Sequence, residues 1–297
     1  MKRILIVGSG DVARRALPWL TARFRVFAVV RREDERASLR RLGAVPLLAD
    51  LDQPATLRRL AGIADFVLHF APPPAKGDDD PRTRRILAVL QRGQSVAQGL
   101  VYISTTGVYG DCEGAMVSET RPLSARTGRA VRRVAAEARL RRFGRHNGCR
   151  VVLLRAPGIY APERLSLGRL LRGDPVLQED DDVFTNHIHA DDLARVACFA
   201  IFRGRHNRAY NVCDNSHLKM GDYFDLMARI FGLAPPPRVS RAEAQSALSS
   251  ATLSFMSESR RLVNRRMHDE LRVNLRYPDV REGLMAARAT IKLVEEE

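Results

Sequence analysis

Gly8, Gly10 and Ala13 follow the short apolar run Ile4 to Val7 and precede the stretch DVARRALPWLTAR, which has the pattern of a helix. The spacing G-x-G-x-x-A supplies a glycine for a tight turn, a second that lets backbone amides approach a ligand, and a small residue for close helix packing. Between a strand and a helix, such a turn suits a pyrophosphate, because the free amides and the dipole of a helix N-terminus both favour negative charge. Gly8, Ser9, Gly10, Asp11, Val12 and Ala13 are therefore expected to cradle a dinucleotide. The alternative is a glycine turn with no ligand.

A second group of residues bears on which dinucleotide. Arg31 and Arg32 follow the apolar run that ends at Val29 and Val30, where an NAD site usually offers a carboxylate to the ribose 2′-hydroxyl. Arginine there suits a 2′-phosphate, so NADP is the expected cofactor, with NAD as the alternative if both arginines are merely solvated. Asp50 and Leu51, after the third apolar run, are placed to hold the adenine edge. His187, His189, Asp191 and Asp192 form H-x-H-x-D-D. With no further ligand cluster elsewhere, no metal is expected, and Asp191 reads as the N-cap of a helix.

The elements that must position these groups alternate. RILIVG, FRVFAVV, VPLLADL, DFVLHFA and LVYIST are short apolar runs separated by helical stretches near 11–23, 34–42, 55–61 and 78–99. A helix over 127–145, a strand at CRVVLLRAP, a helix over 191–202 and a strand at AYNVCD follow. Continuous apolar strands alternating with helices imply an α/β fold, a Rossmann-type doubly wound parallel sheet covered on both faces. After about residue 160 the pattern loosens into short helices and the run Pro235 to Pro237. The expected organisation is a dinucleotide-binding domain over 1–160, to which 183–213 return, and a smaller C-terminal substrate lobe from 161–182 and 214–297. The tail LVEEE reads as a frayed helix end.

Composition narrows the class. The chain has 297 residues, 45% hydrophobic and 28% charged, which is globular. It contains no apolar stretch long enough for a membrane helix, and the N-terminal apolar run is too short for a signal peptide, so a cytoplasmic protein is expected. The four cysteines, Cys112, Cys149, Cys198 and Cys213, lack metal or disulfide spacing. The net charge of +15 raises nucleic acid as a partner. The basic residues are instead dispersed along the chain with acidic neighbours and no reading motif, which fits a solvated basic surface without a nucleic-acid partner.

Taken in order, VLHFAPP, ISTTGVYG, RAPGIYAP and NHIHADDLARV resemble the extended short-chain dehydrogenase/reductases of the NAD-dependent epimerase/dehydratase family over nearly the whole chain. The resemblance implies that Phe70, Ala71 and Pro72 pass under the cofactor and that Ser104 and Thr105 end the fifth strand beside it. Pro157, Gly158 and Ile159 would touch the nicotinamide. Thr105 takes the family's catalytic hydroxyl position. The family's proton chemistry uses a Tyr and a Lys four residues later. Aligned on Glu137, those positions carry Arg129 and Arg133, and no Tyr lies between Tyr109 and Tyr160, nor any Lys between Lys76 and Lys219. This departure resembles an atypical, YeeZ-like subgroup. Arginine stays protonated and cannot act as a phenol does. Arg133 would hold ribose or phosphate oxygens, Arg129 would either clamp an anionic substrate or lie on a surface helix among charged residues four apart, and Tyr160 would either supply a stand-in phenol or face the core.

Two functions stay open from the sequence. One is an NAD(P)-binding enzyme of the epimerase/dehydratase/reductase group acting on a small polar or anionic, nucleotide-sugar-like substrate. The other is a non-catalytic NADP(H)-binding redox sensor or regulator. Either a monomer or a homodimer is compatible with the pattern.

Overall fold

The computed structural model describes residues 1–93 and 96–295. Its first half is built from β1 (Arg3–Val7), α1 (Asp11–Thr21), β2 (Arg25–Val30), α2 (Glu35–Arg41), β3 (Val45–Leu48), β4 (Phe66–His69), α3 (Pro81–Leu90) and β5 (Gly99–Thr105). Then come β6 (Met116–Val117), α4 (Gly128–Asn147), β7 (Arg150–Ala156), β8 (Gly158–Tyr160), α5 (Leu167–Leu171), β9 (Val176–Leu177), β10 (His187–His189), α6 (Ala190–Arg203) and β11 (Arg208–Asn211). The chain closes with α7 (Met220–Phe231), α8 (Arg241–Ala247), α9 (Ser250–Phe255) and α10 (Val280–Glu295). The end of the LVEEE tail, Glu296 and Glu297, lies outside the described residues.

Seven strands pair in the order β11-β7-β5-β4-β1-β2-β3, every neighbouring pair parallel. The apolar runs are continuous because both faces are covered. On one face α1 and α6 bury Leu17, Leu20, Leu193 and Val196 against Ile4, Ile6 and Leu68. On the other, α3 and α4 bury Ile86, Leu87, Ala136 and Leu140 against Leu5, Val67 and Tyr102. Strand order reverses at β1, which lies between β2 and β4. In sheets of this kind, ligands bind at such a switch point, outside the carboxyl ends of the strands.

Several local expectations change in detail. The helix anticipated near 55–61 is a 3₁₀ segment, Pro54–Leu60. There the Thr56 hydroxyl donates to the carbonyls of Gln53 (2.7 Å) and Asp50 (3.2 Å), which competes with a regular α-turn. The helix anticipated over 78–99 starts at Pro81, because Asp80 caps it by accepting the Thr83 amide at 3.1 Å. Asp191 does not cap α6. The N-cap is His189, whose Nδ1 accepts the Asp191 amide at 3.2 Å. Asp192 does bind the C-terminal part, accepting the amides of Arg276 (2.7 Å) and Tyr277 (2.9 Å).

The smaller C-terminal lobe has its own core, in which Val176, Tyr223, Phe224, Met227, Val280 and Leu284 pack together with Tyr160. Among the described residues no helix is long and apolar enough to cross a membrane. All four cysteines are buried free thiols.

Candidate functional site

The turn after β1 is set by sterics. Gly8 has φ +97°, and a Cβ placed on it would lie 2.4 Å from the Ala71 nitrogen. That close approach exists because the amides of Phe70 and Ala71 both donate to the Val7 carbonyl, at 2.8 and 2.9 Å. Ser9 Oγ donates to the Val29 carbonyl at 2.7 Å, pinning the turn to β2. The first bond of α1 runs from the Arg14 amide to the Gly10 carbonyl at 3.0 Å, so the amides of Asp11, Val12 and Ala13 are left for another acceptor. A Cβ on Gly10 would meet nothing within 4 Å. Tight under Gly8 and empty over Gly10, the turn has the shape of a pyrophosphate cradle.

This turn floors a cleft of about 460 Å³. Its walls are the ends of neighbouring elements: Val29 and Val30 ending β2 with Arg31 just after it, Asp50 and Leu51 after β3, and Phe70, Ala71 and Pro72 after β4. Ile103 of β5, Arg133 of α4 and Ile159 of β8 complete the far end. Fourteen of the eighteen residues expected at a dinucleotide thus line one cavity, and four do not. Arg32 turns away to Asp34 (3.3 Å) and Glu35 (3.1 Å). Ser104 is buried behind the cleft and donates to Glu137 Oε1 at 2.6 Å. Pro157 lies outside the lining, and Gly158 pairs with His187 in the β8–β10 ladder. Three charged lining residues, Glu35, Arg82 and Arg164, were not expected. Their sequence signal is slight, since each is one charge among many in an arginine-rich chain.

At the end of β5 the half-buried Thr105 accepts the Gly107 amide on Oγ1 at 3.2 Å, which leaves its hydroxyl proton free to donate. Arg133 donates to the Ile103 carbonyl (2.6 Å) and the Tyr102 hydroxyl (2.8 Å). Burial pushes the Tyr102 hydroxyl up to about 12, so it stays protonated under the guanidinium. One turn earlier on the same side of α4, Arg129 stacks over the Phe255 ring at 3.8 Å. It is half-buried, and burial lowers its pKa while the Glu258 carboxylate opposes that shift from beyond ion-pair distance. Behind these groups lies a buried network. Arg155 donates to Glu137 at 2.8 and 3.1 Å and to Tyr109 Oη at 2.9 Å, and Tyr109 donates to Asn211 at 2.6 Å.

Tyr160 is not brought to this site. Its ring is buried in the smaller lobe, edge-on to His187 and His189, and a Cβ on Gly283 would lie 2.1 Å from its hydroxyl oxygen. Burial raises its pKa far above the ordinary phenol value, and among the described residues its hydroxyl has no partner. Of the two placements open for Tyr160, the structure has the second, a core tyrosine that packs against α10. His187 stacks on Tyr223 at 4.1 Å and burial pushes it down to about 3.

A family profile described as the NAD dependent epimerase/dehydratase family matches residues 4–213. Protein YeeZ of Escherichia coli (strain K12) is 28% identical over 184 residues, 61% of this chain and 59% of YeeZ. The alignment thus spans less than two thirds of the curated relatives' length. A functionally unknown conserved protein from Silicibacter pomeroyi DSS is 29% identical with a TM-score of 0.80, covering 98% of this chain and 100% of that one. The UDP-glucose 4-epimerase of Thermotoga maritima, solved with UDP-glucose, shares the fold at 16% identity, with a TM-score of 0.79 over 99% of each chain. Strand order, glycine turn and profile agree, and the chain belongs to the NAD dependent epimerase/dehydratase family.

Proposed function

We propose that the protein binds NADP(H) in the cleft over β1 and acts on a small polar or anionic substrate at the end of β5, without the Tyr-Lys proton transfer typical of the family. The carrying observation is the pair of arginines on one side of α4: Arg133 lines the cleft, while Arg129 sits one turn away and, among the described residues, has no carboxylate within ion-pair distance, Glu258 acting on it only from farther off. A half-buried guanidinium with no carboxylate in direct contact is suited to a carboxylate or phosphate brought by a ligand. A nucleotide sugar, with its phosphates, falls in the same chemical class.

A nicotinamide dinucleotide, when bound, supplies hydride exchange. The protein's own part is binding and orientation. The amides of Asp11, Val12 and Ala13 take the pyrophosphate, Arg31 at the open end takes the 2′-phosphate, and Arg133 holds ribose oxygens. Thr105 donates its hydroxyl proton to a substrate oxygen, and Arg129 fixes the anionic end. Neither arginine exchanges protons near neutral pH.

That last property favours a second reading, an NADP(H)-binding sensor without turnover. The two readings separate in one experiment. With NADPH bound, small 2-oxo acids and sugar phosphates are titrated and NADPH oxidation is followed. The enzyme reading expects at least one to bind and turn over, with Arg129→Ala weakening its binding about tenfold, the worth of one charge-assisted contact. Thr105→Ala should lower turnover with NADPH affinity unchanged. Binding of NADPH with no response to any anion in wild type or variants would leave the sensor reading standing.

A further inference from the structure

The dinucleotide reading explains the floor of the cleft but not the charges at its mouth. Asp11, the first residue of α1, places a carboxylate beside the amides that are to receive an anion. It is held by two arginines. Arg15 donates to Oδ1 at 2.7 Å, and Arg164, from the segment Pro162–Arg164 of the smaller lobe, reaches across to Oδ2 at 3.1 Å. Arg15 also donates to Asp191 at 2.5 Å and to Glu163, the neighbour of Arg164. Asp11, Glu163 and Asp191 against Arg15 and Arg164 leave one net negative charge beside the turn, and without Arg164 there would be two.

We propose that Arg164 is a pyrophosphate ligand delivered from the smaller lobe, exchanging Asp11 for a cofactor phosphate oxygen so that dinucleotide binding clamps the Pro162–Arg164 segment over α1. This rests on the dinucleotide reading of the cleft. Three observations carry it. Arg164 lines the same cavity as Gly8 to Ala13. Its one protein acceptor among the described residues is Asp11, and its side chain is 37% exposed, so it is free to turn. Asp11 keeps Arg15 when Arg164 leaves, and Glu163 keeps the segment tethered through Arg15, so the exchange strands no charge. A bidentate guanidinium facing free helix amides encloses a phosphate from both sides.

The test compares NADPH, which carries the pyrophosphate, with adenosine 2′-monophosphate, which lacks it, by calorimetric titration of the full chain. Arg164→Ala should weaken NADPH about tenfold and leave the monophosphate unchanged, and Arg164→Lys should recover part of the loss. Asp11→Asn removes the competing negative charge and should bind NADPH at least as tightly as wild type. Hydrogen exchange over 161–166 should slow with NADPH in wild type but not in Arg164→Ala. If Arg164→Ala binds NADPH like wild type, or weakens both ligands alike, the proposal falls while the dinucleotide reading stands. If wild type binds no dinucleotide, both fall.

Discussion

The ends of β1 and β5 lie two strands apart in one parallel sheet, with β4 between them, and they are built on different principles. The β1 end is made of backbone: Gly8 is required by contact with Ala71, and the groups left free there are amides. The β5 end is made of side chains. Ser104, Glu137, Arg155, Tyr109 and Asn211 hold it from behind, while Thr105, Arg129 and Arg133 are only half-buried. Sterics leave a backbone site little freedom, so its chemistry follows from three small residues. A side-chain site can keep its scaffold intact and still present different chemistry; here α4 brings Arg129 and Arg133 to it.

The largest expected effect breaks the scaffold of the β5 end. Arg155 and Glu137 are both about 97% buried, so Glu137→Ala leaves a guanidinium without its acid and should cost about 3–5 kcal/mol in urea unfolding. Glu137→Gln, which keeps an acceptor, should cost less. A loss below about 1 kcal/mol for the alanine variant would show that the network does not hold the strand.

Next in size is the contrast within the β1 turn. Gly8→Ala drives a methyl into the Ala71 backbone at a positive φ and should destabilise by about 3 kcal/mol. Gly10, in extended conformation (φ −75°, ψ −166°) with open space above it, should accept alanine or valine within about 0.5 kcal/mol. Gly10→Val should nonetheless lose dinucleotide binding at least tenfold, because the side chain fills the cradle. Equal destabilisation by both glycine changes would erase the distinction between floor and cradle.

Acid probes the smaller lobe. Burial lowers His187 from 6.5 to about 3, so below pH 6.5 the unfolded chain takes up a proton that the folded chain refuses. Stability from this group is complete above pH 6.5 and declines as pH falls towards 3, by about 2 kcal/mol at pH 5. Thermal melts of His187→Gln should show a shallower loss between pH 6.5 and 5. An unchanged acid slope would remove His187 as the cause. The smallest effect concerns Arg31: Arg31→Ala should weaken NADPH about tenfold and leave NADH within twofold.

The sheet was legible because parallel strands covered on both faces must read as continuous apolar runs, and the glycine turn because its spacing reflects a steric need. The choice between the two placements of Tyr160 needed the structure. Tyr160 directly follows Ile159, which lines the cleft, but strand alternation sends its side chain the opposite way, into a core closed by Gly283 of α10. Asp191 has the chemistry of an N-cap, yet Arg15 of α1 takes its carboxylate and leaves His189 to cap. Arg164 carries no local mark at all. Only closure of the fold places it against Asp11, 153 residues away.

The central claim is that the cleft over β1 is an NADP(H) site, and calorimetric titration with NADPH, NADP⁺ and NADH at two salt concentrations tests it most directly. The account predicts dissociation constants on the order of micromolar for the two phosphorylated forms, weaker binding of NADH, and a preference that shrinks as salt rises. Failure of all three to bind the folded protein would contradict it.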